Sequence, residues 1–397
     1  MTNQNNTLLK NPFRITFVMA MAIFGVITTE FGLIGGLHLI AESFGVSLSQ
    51  AGLLLSTYAF VVAVFGPFMV LTFSKYNKKY VLMGAVGLFF ISTALSAVSQ
   101  SYIVMMISRI IGALGHSLVW SLALAIAASC FPPEKRAKSV SYVNLGFILA
   151  TVAGIPLASY LSTEFDWRWG FSLAAFSNFM ALVAVLLLVP SLPNNENLTF
   201  GNQLSVLKKP IVWLNIISTS TAFAGMFTVY GYFAPFFKQT ANMNDATISI
   251  MLMLFGLLGI LGNTFFGKFT TLSNIYRVFL SVIILVGITY TLMEFFNHNL
   301  YIIIALILVW GVLFSAGGVV FQVWCTMNAT EAPTFANSLY VSFANIGITL
   351  GTFFGSLGIK FIGIESVGYV AITFLIISLV LYVFTIKVNN NMQKGKI

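Results

Sequence analysis

Two ionisable side chains stand where almost everything around them is apolar. Glu30 follows Ile27-Thr28-Thr29 at the end of a long hydrophobic run, and Arg109 sits in Met105-Met106-Ile107-Ser108-Arg109-Ile110-Ile111. A bare carboxylate in hydrocarbon costs several kcal/mol, so Glu30 must be paired or carry a proton part of the time. A group that gains and loses a proton according to the side it faces is what proton coupling requires. A fixed structural ion pair is the plainer alternative. Arg109 is the evident partner, or else a structural brace, because a guanidinium facing lipid is very costly. At 1.5 Å per residue, Arg109 lies about 10 Å and Glu30 about 15 Å from the same membrane face, depths that permit contact if their helices are neighbours. Arg109, Ala113, His116 and Trp120 follow helical spacing and share one face. That stripe offers a cation, an imidazole and an indole. His116 either binds a ligand or relays a proton, or it is a buried imidazole satisfied by a carbonyl. His38 and His298 fall near helix ends and read as interfacial.

The elements that position these residues are membrane helices. Hydrophobic residues make up 58% of the chain and charged residues 7%, with a mean hydropathy of +0.96; a soluble domain carries roughly 25% charged residues. The apolar runs predict twelve spans, near 15–40, 51–73, 80–99, 102–130, 138–162, 169–189, 211–237, 246–267, 276–296, 299–327, 334–360 and 365–387. Segments on the side of the chain ends hold Lys10, Arg14, Lys75, Lys78, Lys79, Lys135, Arg136, Lys138, Lys208, Lys209, Lys268, Arg277, Lys387, Lys394 and Lys396. The other side holds Arg168, Lys238 and Lys360. This bias predicts that both termini are cytoplasmic. The net charge of +9 then faces anionic lipid and implies no nucleic acid. No signal peptide is expected, and Cys130 and Cys325 read as structural. The acids, cysteines and histidines form no metal set or nucleophile arrangement, and there is no Walker-type glycine loop. The expectation is therefore a protein that is not an enzyme and needs no cofactor.

The chain repeats itself. Val140, Ser141, Asn144, Gly146, Leu149, Thr151 and Gly154 recur 201 residues later as Val341, Ser342, Asn345, Gly347, Leu350, Thr352 and Gly355. The same offset aligns Phe65, Gly66, Phe68 and Leu71 with Phe266, Gly267, Phe269 and Leu272. One register over two segments argues for duplication of half the protein, which in a membrane chain marks a transporter. Asn194, Asn195, Asn197, Gly201 and Asn202 form the one polar interruption. It predicts an N-terminal six-helix bundle over 1–190, a cytoplasmic linker over 191–209 and a C-terminal bundle over 210–397. Small residues on the repeated helices, Gly146 and Gly154 with Pro156, and Gly347, Gly351 and Gly355, permit close backbone approach. They are expected either as static packing or as a moving contact between the bundles.

Four stretches carry a family likeness. They are Thr28-Thr29-Glu30-Phe31; Gly66-Pro67 through Lys78-Lys79; Arg109 with Gly115-His116 and Trp120; and Asn144-Leu145-Gly146 through Gly154-Ile155-Pro156, followed by Trp167-Arg168-Trp169. Together they resemble the major facilitator superfamily, and within it the bacterial twelve-helix branch that exports sugars, nucleosides and drugs. Ser74 and Asn77 stand where that family usually has aspartate and glycine. The resemblance implies an all-α membrane fold of two pseudo-symmetric six-helix bundles, with the first, fourth, seventh and tenth helices around a central cavity. It makes Glu30 and Arg109 neighbours and candidates for proton coupling. It also makes His116, Trp120, Asn215, Tyr230, Tyr232, Trp310, Phe314, Phe321, Gln322 and Asn345 candidates for lining the cavity. At the repeat offset Glu30, Arg109 and His116 correspond to Gly231, Trp310 and Gly317, so the coupling chemistry is expected in the N-terminal half. The expected protein is a monomer in a bacterial plasma membrane that exchanges a small polar organic solute for protons. Multidrug efflux and a non-transporting sensor on the same fold are the alternatives.

Overall fold

Within a bilayer every backbone polar group must find its partner inside the protein, so long apolar runs become helices. The computed structural model describes residues 12–73, 75–132, 136–192, 207–329 and 333–393. Most of the linker expected at 191–209 lies outside these residues, as do Lys10, Ser74, Lys135, Lys394 and Lys396. The first half contains α1 (Pro12–Phe31), α2 (Leu37–Phe44), α3 (Leu48–Phe73), α4 (Lys78–Ala97) and α5 (Tyr102–Ser129). It continues with α6 (Arg136–Leu149), a π-helical turn (Ala150–Gly154), α7 (Ile155–Glu164) and α8 (Trp167–Leu188). The second contains α9 (Pro210–Gly231), α10 (Phe233–Thr240), α11 (Asp245–Phe269), α12 (Ile275–Phe295), α13 (Leu300–Thr326), α14 (Pro333–Phe361) and α15 (Ser366–Gln393). Among the described residues, twelve segments are long and apolar enough to cross a membrane, so the chain is a multi-pass membrane protein.

The sequence reading treats 15–40 and 211–237 as continuous spans, and both are broken. α1 stops at Phe31, and a turn over residues 32–36 leads into α2. Gly32, Gly35 and Gly36 make that turn possible, because it runs against α7 and α8 with no room for side chains. A Cβ on Gly35 would collide with Ser159, and one on Gly36 would press on Ser162. α9 gives way to α10 at the single residue Tyr232. Pro156 has a local consequence of its own. It lacks an N–H and sits at the start of α7, directly after the π-helical turn that takes up the missing hydrogen bond.

The glycine stripes close seams inside the bundles. Added Cβ atoms would meet the Ala20 backbone at Gly146, and Thr28 and Phe24 at Gly154, all on α1. They would meet Ser220 and Phe223 at Gly347, Ala224 at Gly351, and Tyr232 and Thr228 at Gly355, all on or at the end of α9. These neighbours belong to the same bundle as each glycine, where the moving-contact reading expects the other bundle. The small residues admit close packing of α6 and the π-helical turn on α1, and of α14 on α9. The two seams are pseudo-equivalent, which fits the duplication. Pro156 is buried on α7, a helix that does meet the other bundle, against α11.

Contact between the bundles runs along α3 with α14 and α7 with α11. Ser49 Oγ lies 2.7 Å from Ser356 Oγ, Ser56 Oγ 2.7 Å from Thr352 Oγ1, and Ser159 Oγ 2.9 Å from Ser249 Oγ. Gly52 leaves space for the Tyr232 ring, and Gly256 for the Thr151 carbonyl. The hydrogen bonds that join the bundles among the described residues cluster toward the face opposite the chain ends.

Gly351→Leu is expected to remove folded, monodisperse protein or to lower its melting temperature sharply, since overpacking a tight seam costs about 1–3 kcal/mol or more. Gly84→Leu, where nothing lies within 4 Å of the added atom, should melt like the parent. Equal melting of the two variants would refute the seams.

Candidate functional site

The site grows out of the break in α1. A helix end leaves carbonyls without intrahelical donors. Here the Gly32 N–H donates to Thr28 O at 2.8 Å and the Ile34 N–H to Phe31 O at 3.0 Å. The Thr29 and Glu30 carbonyls between them are taken by Arg109, whose Nη1 donates to Thr29 O at 2.5 Å and Nη2 to Glu30 O at 2.9 Å. Nε also reaches Leu54 O, at 3.4 Å, and the guanidinium lies 4.3 Å from the Tyr58 ring centroid. Arg109 is 1% exposed. A cation at a helix C-terminus also meets the negative end of the macrodipole. Its burial is thus offset by charge-assisted bonds, the dipole and a ring face.

The expected side-chain pair of Glu30 and Arg109 takes another form. Arg109 grips Glu30 by its main chain, and among the described residues no ion pair joins their side chains. Glu30 Oε2 lies instead 3.7 Å from His116 Nδ1. The same nitrogen is 3.1 Å from the Tyr58 hydroxyl. The His116 ring stacks at 6.4 Å and 12° on Trp120, which meets the edge of Phe147. The α5 stripe therefore comes together as the spacing indicates. Thr29 fixes the approach, donating to Gly25 O at 2.7 Å and accepting from Asn178 Nδ2 at 2.9 Å. Glu30, at 4% exposure, His116 and Tyr58 make one buried polar cluster. A separation of 3.7 Å is beyond a hydrogen bond, so a small side-chain movement decides whether carboxyl and imidazole share a proton.

An aromatic wall from the second bundle faces this cluster. Phe31 meets Phe227 at 5.6 Å and Tyr230 at 5.9 Å, and Tyr230 meets Phe314 at 4.8 Å. The other candidates divide. Trp310 is enclosed by Phe233, Phe255 and Tyr290, and Phe321 by Phe223 and Phe279. Both are core residues, because large flat rings fill the space where these helices cross. Tyr232 donates to Thr352 O at 2.8 Å and packs at the inter-bundle contact. Asn215 donates to Trp324 O at 2.9 Å. Gln322 is exposed and donates to Asn337. Asn345 donates to Val341 O, and its buried Oδ1 has no partner. Tyr58, Asn178 and Phe227 are absent from the sequence reading, and Phe31 enters it only within the Thr28-Thr29-Glu30-Phe31 stretch. Uncharged and embedded in apolar runs, they gave no signal of their own.

The sequence profile of the Major Facilitator Superfamily matches residues 17–333 and residues 217–396. The chain belongs to that superfamily. It is 30% identical over 354 residues to a "Probable sugar efflux transporter" of Helicobacter acinonychis (strain Sheeba), covering 89% of this chain and 90% of the relative. The protein of the same name from Mannheimia succiniciproducens is 29% identical, with 94% and 93% covered. Among solved structures, a bacterial homologue of the human lysosomal transporter Spinster, inward-facing and unoccupied, superposes with a TM-score of 0.76 at 15% identity. It covers 95% of this chain and 98% of that one. The human organic anion transporter TETRAN gives 0.66 at 14% identity, covering 94% and 100%. These likenesses carry the fold, and with the superfamily they make the chain a transporter.

Arg109→Ala should cost more stability than Glu30→Gln. It strips two buried carbonyls of charge-assisted bonds worth about 1.5–3 kcal/mol each, whereas Gln keeps the shape and removes only a charge. Melting curves of both variants in lipid nanodiscs check the order, and a Glu30→Gln variant that melts below Arg109→Ala would contradict it.

Proposed function

We propose that this major facilitator protein exports a small polar organic solute, a sugar or sugar-like compound, in exchange for protons across a bacterial plasma membrane. The observation that carries the reading is the Glu30–His116–Tyr58 cluster, buried beside the Phe31–Phe227 contact where the two bundles meet. Rocking the bundles apart at that contact changes what Glu30 faces. A buried carboxyl that is alternately covered and opened is a site where proton binding and solute binding can exclude one another.

The face of the chain ends is taken as cytoplasmic. Arg14, Lys75, Lys78, Lys79, Lys208, Lys209, Lys268, Arg277 and Lys387 lie toward it, against Arg168, Lys238 and Lys360 at the other face. Because inter-bundle bonds close the outer face, solute approaches from the cytoplasmic side. Trp120 offers a flat apolar ring, and Glu30, His116 and Gln322 offer hydrogen-bonding groups, the combination that suits a polyhydroxylated ring. Ionised Glu30 accepts from the solute. A proton arriving from outside removes that acceptor, releases the solute and is then lost to the cytoplasm. The relatives' name favours a sugar over the lipophilic cations of multidrug efflux, and so does a cluster in which Arg109 and His116 stand beside the acid Glu30. A non-transporting sensor has no specific observation in its favour.

In proteoliposomes with an imposed pH gradient, the wild type should accumulate a labelled sugar from a panel of mono- and disaccharides. Glu30→Gln should lose at least about tenfold of that accumulation while keeping gradient-independent exchange, since one fixed protonation state cannot alternate. Undiminished pH-driven accumulation by the variant would remove Glu30 as the coupling group.

A further inference from the structure

The outer face carries a second charged group, separate from the Glu30 cluster. His38 lies on α2 of the first bundle, while Lys238 on α10 and Asp245 at the start of α11 belong to the second. Lys238 Nζ donates to Asp245 Oδ1 at 2.9 Å and Oδ2 at 2.8 Å, and it lies 3.1 Å from His38 Nε2. His38 Nε2 is also 3.4 Å from Asp245 Oδ1. An ammonium has donors and no acceptor. The contact across the bundles therefore requires a bare lone pair on His38 Nε2, which places the imidazole proton on Nδ1. That nitrogen is buried and has no hydrogen-bond partner among the described residues. Side-chain exposures of 17% for His38, 38% for Lys238 and 31% for Asp245 leave the group within reach of solvent protons.

We propose that His38 is an outer proton site that controls the closure of this face. Neutral His38 accepts the Lys238 hydrogen bond and ties the bundles together. A proton on Nε2 abolishes the acceptor, sets two cations side by side and lets the bundles part. Two carboxylates pull the other way: Asp245 from α11, and Glu42 one turn further along α2. Burial and the Lys238 charge outweigh them, so His38 in the closed face is held below the ordinary imidazole range. Once the bundles separate, His38 returns toward the ordinary value of about 6.5. A site with the lower affinity for protons in the closed state favours closure at high pH, and that contribution is lost as the outer pH falls through this range. The Ser49–Ser356, Ser56–Thr352 and Ser159–Ser249 bonds at the same face contain no group that titrates there. The inference does not depend on Glu30 as the coupling group.

The test uses spin labels on Gln100→Cys and His298→Cys, two exposed positions at the outer ends of different bundles. Cys130 and Cys325 are buried, and the unsubstituted parent controls for their labelling. Pulsed electron double resonance in lipid nanodiscs then gives the ratio of separated to joined outer face. Between pH 7.5 and 5.5 that ratio should rise at least about twofold, the effect over this range of a half-unit difference in proton affinity between the two states. His38→Gln keeps an acceptor and cannot ionise, so its ratio should be flat across this range. His38→Ala should already be raised at pH 7.5. A flat ratio in the protein with His38 intact would overturn the proposal. So would an equal rise in His38→Gln, because it would assign the pH response to another group, Glu30 included.

Discussion

The rest of the site depends on one interaction, the capping of a broken helix by a buried arginine. Glycines at 32, 35 and 36 let α1 stop within the protein interior, and the stop exposes the carbonyls of Thr29 and Glu30. Arg109 satisfies both from α5 and rests on the Tyr58 ring. The guanidinium turns to main-chain oxygens, and the Glu30 carboxyl lies against His116 instead. A helix break, a buried charge and a free carboxyl thus follow from each other.

The two halves share one packing scheme and differ in chemistry. Equivalent glycine seams lock α1 to α6 and α9 to α14, so each bundle can behave as a solid body. In the second half the interruption of the first helix shrinks to Tyr232, whose N–H donates back to Val229 O. Phe236 N–H in turn takes Tyr232 O, at 2.8 Å. Such a short break needs no cation. At the positions equivalent to Glu30 and Arg109 stand Gly231 and Trp310, the latter enclosed in aromatic packing. The duplication kept the scaffold, and the fully buried Glu30 and Arg109 stand in the half whose helix break requires them.

How much of this was legible in the sequence follows from what each signal measures. Apolar run length reports burial in lipid, so the twelve spans were readable to within a few residues at most ends. The exceptions are the breaks in α1 and α9, because hydropathy does not see a turn whose residues stay apolar. The repeat at 201 residues reported the bundles, and the α5 spacing reported that Arg109, His116 and Trp120 share a face. Small-residue stripes report close approach without naming the partner. Gly154 and Gly355 therefore read as inter-bundle contacts when their neighbours are α1 and α9. Residue type alone likewise could not tell that Arg109 would choose main-chain oxygens over a carboxylate. Tyr58 and Asn178 carry no charge and no motif, and only the packing of α3 and α8 against α1 and α5 brings them in.

The account turns on whether the Glu30 carboxyl, freed from Arg109, changes protonation while the protein stays folded. Infrared difference spectra of the protein in lipid, recorded as pH is stepped, read this directly through the C=O stretch of a protonated carboxyl. The account predicts a reversible carboxyl band that vanishes in Glu30→Gln and shifts in His116→Gln, because the imidazole lies 3.7 Å from the carboxyl oxygen. A spectrum in which Glu30→Gln removes no pH-dependent band would mean that Glu30 holds a single protonation state, and it would contradict the account at its centre.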